Sequence, residues 1–214
     1  MNQATPLHDD AAPTVTPEDQ ARADLYGVIA QLFYAAPDEH FLAALVNTGV
    51  KTSSTAPAPD TGQGGPLDEA WQALIAASRS AYPVKLENEH TVLFVGTGKA
   101  VVTPYLSNYV LRHQSDTPLA ELRAWLDAMG LARREGVTEY EDHIAGLMET
   151  MRYLIALQHR SLDDQRHFFE RYIYDGAVSF CVAVTASEQA SFYKVVARFT
   201  RVFLDIEKNA FTIG

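Results

Sequence analysis

Cysteine is nearly absent from this chain. Cys181 is the single thiol in 214 residues and lies inside an apolar run, so no intramolecular disulfide and no thiolate metal cluster can form. That usage fits a reducing cytoplasm, with Cys181 read as a small core residue. Basic charge is also scarce: 17 Lys and Arg face 27 Asp and Glu, for a formal net charge of −10. Such a balance argues against nucleic acid as the main partner and suits a basic one, such as a peptide carrying arginines; solubility alone is the simpler reading. No apolar run is long enough to span a membrane, so no membrane insertion is expected. The opening MNQATPLHDDAAP lacks the basic start and apolar run of an export signal. Internal repeats, a Gly-rich phosphate loop, a Gly-x-Ser-x-Gly elbow and heptad runs are missing too.

What is present is an ordinary globular composition, 47% hydrophobic and 21% charged. A chain of this length buries roughly 70% of its unfolded surface as one domain. Residues 1–15, rich in Ala, Pro, Thr and Asp, read as a flexible arm. Residues 16–214 read as a single all-helical domain. Lys51 to Pro66, KTSSTAPAPDTGQGGP, has no large apolar residue and reads as a flexible loop within that domain.

Helical period recurs along the domain. Thr16 caps a helix with Pro17 at its first position and Leu25, Val28, Ile29, Leu32 and Phe33 on one face. Asp38 caps a second helix through Phe41, Leu42 and Leu45, closing near Gly49. Leu67, Trp71, Leu74 and Ile75 mark a third, broken by Pro83. Thr117-Pro118 opens a stripe of Leu119, Leu122, Trp125, Leu126 and Met129 that closes at Gly130. A capping box, Thr138-x-x-Glu141, precedes Ile144, Leu147, Met148, Met151, Leu154 and Ile155. Leu162, Gln165, Phe169, Tyr172 and Ile173 make a further stripe. AVSFCVAV, residues 177–184, has the Val content of a buried strand, but a lone strand has no partner here and helix is expected. Thr185-x-x-Glu188 reads as the box opening a last helix with Phe192, Val195, Val196, Phe199, Val202, Phe203 and Ile206 inward.

One stretch organises the rest: residues 87–109, ENEHTVLFVGTGKAVVTPYLSNY. Leu86, Glu89, His90, Leu93 and Phe94 share a helix face, Gly96 and Gly98 end it, and Pro104-Tyr105-x-Ser107 follows with two hydroxyls on a stiffened turn. An inward carboxylate at Glu89 needs a partner, and Tyr105, Ser107 or a histidine is the expected one.

This stretch resembles the signature of the TorD/DmsD/NarJ family of molybdoenzyme-specific chaperones. Glu89, Leu93, Phe94, Gly96, Pro104, Tyr105 and Ser107 match it, and His90 stands where the family usually has Tyr or Phe. Two further segments are similar. Glu141-Asp142-His143-Ile144 resembles the family's Pro-Asp-His-Ile helix, with Glu141 replacing proline. Phe192-Tyr193, Thr200, Phe203-Leu204 and Glu207 resemble its C-terminal helix.

The resemblance implies an all-α fold of roughly ten helices and a cytoplasmic protein that binds rather than catalyses, with no cofactor, no metal and no catalytic residue. Its partner would be the apo catalytic subunit of a DMSO-reductase-family molybdopterin oxidoreductase, with that subunit's twin-arginine signal peptide, and the chaperone would be a monomer or a dimer. Asp142, His143, Tyr105, Ser107 and Pro104 become the candidate client-binding residues. Glu89, Leu93, Phe94 and Gly96 become structural signature residues. From the residues alone, Asp142 reads as a helix-terminus acid and His143 as the edge of the core. A metalloenzyme is the competing class: Glu87-x-x-His90 and Asp164-x-x-His167 have di-metal spacing, with Glu149 available as a bridge. About one such acid-x-x-His match is expected by chance among seven histidines and 27 acids.

Overall fold

The computed structural model describes residues 15–52, 65–96, 99–110, 118–131 and 140–213. Most of the expected flexible arm and central loop, Gly98, Thr117 and Thr138 lie outside the described residues. Ten α-helices and no strand are found among those described: α1 (Pro17–Tyr34), α2 (Glu39–Thr52), α3 (Pro66–Arg79), α4 (Pro83–His90), α5 (Ser107–Val110), α6 (Pro118–Ala128), α7 (Ile144–Ala156), α8 (Leu162–Phe168), α9 (Tyr174–Ala186) and α10 (Phe192–Ile213). A π-helical turn, Thr91–Val95, extends α4, and a second, Phe169–Ile173, joins α8 to α9.

Local chemistry explains most starts. The Thr16 hydroxyl accepts the Asp19 N–H with Pro17 in the first turn of α1. Asp38 accepts the Phe41 N–H at 2.7 Å, and Ser161 accepts that of Asp164 at 3.2 Å. These are the orphan donors of a helix N-terminus satisfied by the preceding side chain. Residues 177–184 are helical within α9.

Packing joins α1 to α7, and α10 to both α9 and α3. Phe33 of α1, Phe94 of the first π-turn, Phe180 of α9 and Tyr193 of α10 meet in one aromatic cluster, with Phe94–Tyr193 at 5.0 Å and Phe33–Phe180 at 5.1 Å. Edge-to-face contacts of this kind add to the burial of four large rings. Leu93 and Phe94 are thus core residues, and Gly96 ends the turn with φ of +65°, where a Cβ would sit 2.4 Å from the Lys99 carbonyl. Only glycine is free of that clash.

Two carboxylates tie distant segments together. Glu89 Oε1 accepts the backbone N–H of Ser191 and Tyr193 at 2.7 and 2.9 Å, and Oε2 accepts that of Phe192 at 3.3 Å. A side chain 102 residues upstream therefore caps α10. Glu207, 3% exposed, takes Arg22 on both oxygens at 2.9 and 2.8 Å and the Tyr26 hydroxyl at 3.0 Å, joining α10 to α1. Burial, and then the Glu207 charge, push the Tyr26 phenol well above its usual value.

Several expectations are corrected. Glu89 pairs with the α10 amides rather than with Tyr105, Ser107 or a histidine, because the α10 N-terminus offers it three donors. Thr185 does not open a helix; it lies in the last turn of α9 and donates to the Cys181 carbonyl. Asp142 and His143 precede α7 rather than sitting inside it, since the chain is held there in extended pairing described below. α2 continues past Gly49 to Thr52. Leu162 and Ile206 point outward, while Gln165, Phe169 and Ile173 of the 162–173 stripe are buried across the π-turn as expected.

Removing the remote cap is expected to cost more than removing an ordinary surface acid. Glu89→Ala should lower the unfolding free energy by about 2 kcal/mol, and Glu89→Gln by about 1 kcal/mol. Urea titration with an unchanged slope checks this, and a loss no larger than at Glu87 would contradict it.

Candidate functional site

Pro104, Tyr105, Ser107, Asp142 and His143 converge, although 34 or more residues separate the two segments. Tyr105 and His143 form an isolated antiparallel bridge. The Leu106 N–H donates to the Asp142 carbonyl and the Ile144 N–H to the Pro104 carbonyl, each at 2.9 Å. Proline offers no N–H, so its carbonyl carries the pairing on that side.

Side chains reinforce the backbone bridge. The Ser107 hydroxyl donates to Asp142 Oδ2. Asp142 is 4% exposed, and among the described residues its Oδ1 has no hydrogen-bond partner. Burying a carboxylate in this way costs free energy, which the Ser107 hydroxyl offsets in part. His143 Nδ1 accepts the Ala145 N–H at 3.2 Å and caps α7, so the ring proton of the neutral imidazole resides on Nε2. The Tyr105 ring lies edge-on to His143 at 5.4 Å and to Tyr140 at 5.8 Å.

His143 also borders a groove of about 1170 Å³ between α1 and α7. Its walls carry Tyr34, Tyr140 and Tyr153, the acids Asp24, Glu141 and Glu149, and Arg152, with Leu126 and Leu131 at the side of His143. Charged and aromatic groups thus line much of this hollow and outnumber its aliphatic side chains. Apart from His143, the sequence did not assign the groove residues to a binding surface. Asp24, Gly27 and Gln31 recur at helical spacing on α1, as do Gly146, Glu149 and Tyr153 on α7, and each set alone reads as a solvated face.

The metal alternative finds no constellation. His90 is buried beside the Phe33 carbonyl and between the Phe94 and Tyr193 rings, whereas His167 is exposed on α8 and Glu149 holds Arg152. Among the described residues no group of three His, Cys, Asp or Glu side chains converges as a metal site. His90 thus serves the packing role of the family's usual aromatic residue.

A sequence model of the nitrate reductase delta subunit family matches residues 63–182. The chain belongs to that family. It is the TorD/DmsD/NarJ grouping of molybdoenzyme-specific chaperones that the three signature segments resemble. The chaperone protein TorD of Shewanella loihica is 24% identical over 204 residues, covering 91% of this chain and 95% of the relative. In fold, the chain is similar to the crystal structure of a candidate redox enzyme maturation protein from Archaeoglobus fulgidus. That match has a TM-score of 0.53 and 17% identity, and covers 92% of this chain and 99% of the other. The family's helical fold therefore brings the Pro-Tyr-x-Ser loop and the Asp-His turn to one place.

Burial lowers the His90 pKa below its ordinary 6.5, an effect only partly offset by the Phe33 carbonyl. Below about 6.5 the unfolded chain takes up a proton that the folded chain refuses, so stability falls with pH until the folded value is reached. His90→Phe should remove that component and leave the fold as stable or more so. Unfolding midpoints compared between pH 7.5 and 5 check this; a parallel pH dependence in the two proteins would contradict it.

Proposed function

We propose that this family member is a cytoplasmic chaperone for the apo catalytic subunit of a DMSO-reductase-family molybdoenzyme. It binds the subunit, at its twin-arginine leader, until the molybdenum cofactor is inserted and folding is complete, and export follows. The observation that carries the reading is the pairing of Pro104-Tyr105-x-Ser107 with Asp142-His143 beside an acidic, tyrosine-walled groove. The TorD relative, itself named a chaperone, supports it.

The chemistry suits reversible binding. His143 lines the groove and Asp142 precedes it, and both supply polar contacts to the peptide. The leader's apolar segment, turned helical, shields about 500 Å² of apolar surface, a gross gain of roughly 12 kcal/mol. Association entropy and peptide ordering consume much of it. Moderate affinity is what release of a finished client requires. Acidic walls add association rate and salt sensitivity.

A second reading is an assembly factor of the NarJ kind for a molybdoenzyme subunit that is not exported, with which the name of the matching family, nitrate reductase delta subunit, is compatible. The client's own N-terminus separates the two readings.

The test is capture of clients by the tagged full-length chain from cells in which cofactor synthesis is blocked. An uncleaved molybdoenzyme precursor is the expected prey; its absence, with the chaperone folded and abundant, counts against the reading. Asp142→Ala and His143→Ala should each weaken a synthetic leader peptide by roughly tenfold, as loss of one hydrogen bond to a charged or desolvated group does. Raising salt from 0.05 to 0.5 M, as order-of-magnitude settings, should weaken the wild type further. Salt-independent affinity would remove the arginine–carboxylate part.

A further inference from the structure

The groove between α1 and α7 already holds an arginine of the chain's own. Glu149 forks Arg152 one turn later on α7: Arg152 Nε donates to Oε2 at 2.8 Å and Nη2 to Oε1 at 2.6 Å. The Arg152 stem crosses to α1 and lies over Gly27, where a Cβ would come within 2.9 Å of Arg152 Cδ. The missing side chain at Gly27 makes the seat for that stem. Asp24 lines the same wall one turn earlier on α1.

Charge accounts for what the groove accepts. Its walls carry the carboxylates Asp24, Glu141 and Glu149; Arg123 holds Glu141 at 3.0 Å, which leaves Asp24 and Glu149 facing the guanidinium of Arg152. A basic peptide therefore complements it, and the two-pronged geometry on Glu149 selects a guanidinium over an ammonium. The Glu149–Arg152 pair is open to solvent, with side-chain exposures of 51% and 36%. Pairs of that kind contribute little to folding, so exchanging one guanidinium for another costs the fold almost nothing.

We propose that Arg152 is an intramolecular competitor that an arginine of the client displaces. Glu149 releases Arg152 and forks the incoming guanidinium, with Asp24 adding to the local negative charge. The apolar part of the peptide then lies toward His143, six residues before Glu149 at the start of α7 and about 9 Å away, with Leu126 and Leu131 also lining the groove. Arg152 thereby sets the affinity of the groove, while the forked geometry on Glu149 sets its preference for arginine over lysine. This inference rests on the client-peptide reading above and adds to it the residue that guards the groove.

The experiment is calorimetric titration of the full-length chain with two synthetic peptides. One has two adjacent arginines followed by an apolar segment; the other has lysines in their place. Arg152→Gln should tighten the arginine peptide by about threefold and leave the lysine peptide unchanged. Glu149→Gln should weaken the arginine peptide, and in its background Arg152→Gln should bring no gain, since the carboxylate under competition is gone. Equal or weaker binding by Arg152→Gln overturns the proposal. So does an equal gain for both peptides, which is the mark of bulk charge. Capture of an apo-molybdoenzyme subunit with peptide affinities indifferent to Arg152 overturns the competition and leaves the chaperone reading intact. Neither capture nor peptide binding removes both.

Discussion

The carboxylate of Glu89 on the amides of α10 is the contact on which the arrangement depends. The 22-residue helix α10 begins at Phe192, where the N–H groups of Ser191, Phe192 and Tyr193 all point to Glu89. Three backbone donors there would otherwise be left to water at the edge of the core. Glu89 meets them from α4, and the adjoining π-turn then sets Leu93 and Phe94 into the aromatic cluster with Phe33, Phe180 and Tyr193. A single ionised group thus couples a local signature to the longest helix.

From that anchor the functional loop follows. Gly96 turns the chain out of the π-turn, and the Val102 N–H returns to the Leu93 carbonyl at 2.9 Å. Pro104 to Ser107 is then laid against the turn before α7. The bridge between Tyr105 and His143 supplies rigidity that a surface loop lacks, and the Ser107–Asp142 contact joins the same two segments through their side chains.

Much of this was legible in one dimension. Thr16-Pro17, Asp38 and the apolar periods fix where helices begin and which face they bury, because capping and amphipathicity act over four residues. The α9 segment was settled by the absence of any strand partner. The remote partners were not legible. Glu89 was expected to pair with hydroxyls 16 and 18 positions on, yet its donors lie beyond position 190. Thr185-x-x-Glu188 has the pattern of a capping box in a place where the chain is still inside α9, and the true cap came from elsewhere. Arg22 and Glu207, 185 residues apart, gave no sign of each other.

By itself, then, the sequence determined that this is an all-helical chain with an acidic surface, a lone buried thiol and the signature of a molybdoenzyme chaperone family. Composition, helical period and short motifs are local properties and survive in a linear text. Tertiary structure alone decided which carboxylate caps which helix, that Ser107 pairs with Asp142, and that Arg152 lies over Gly27 in a groove. Those outcomes depend on hydrogen-bond donors and steric gaps contributed by segments far apart in the chain, and only the packed fold brings them within reach of one another.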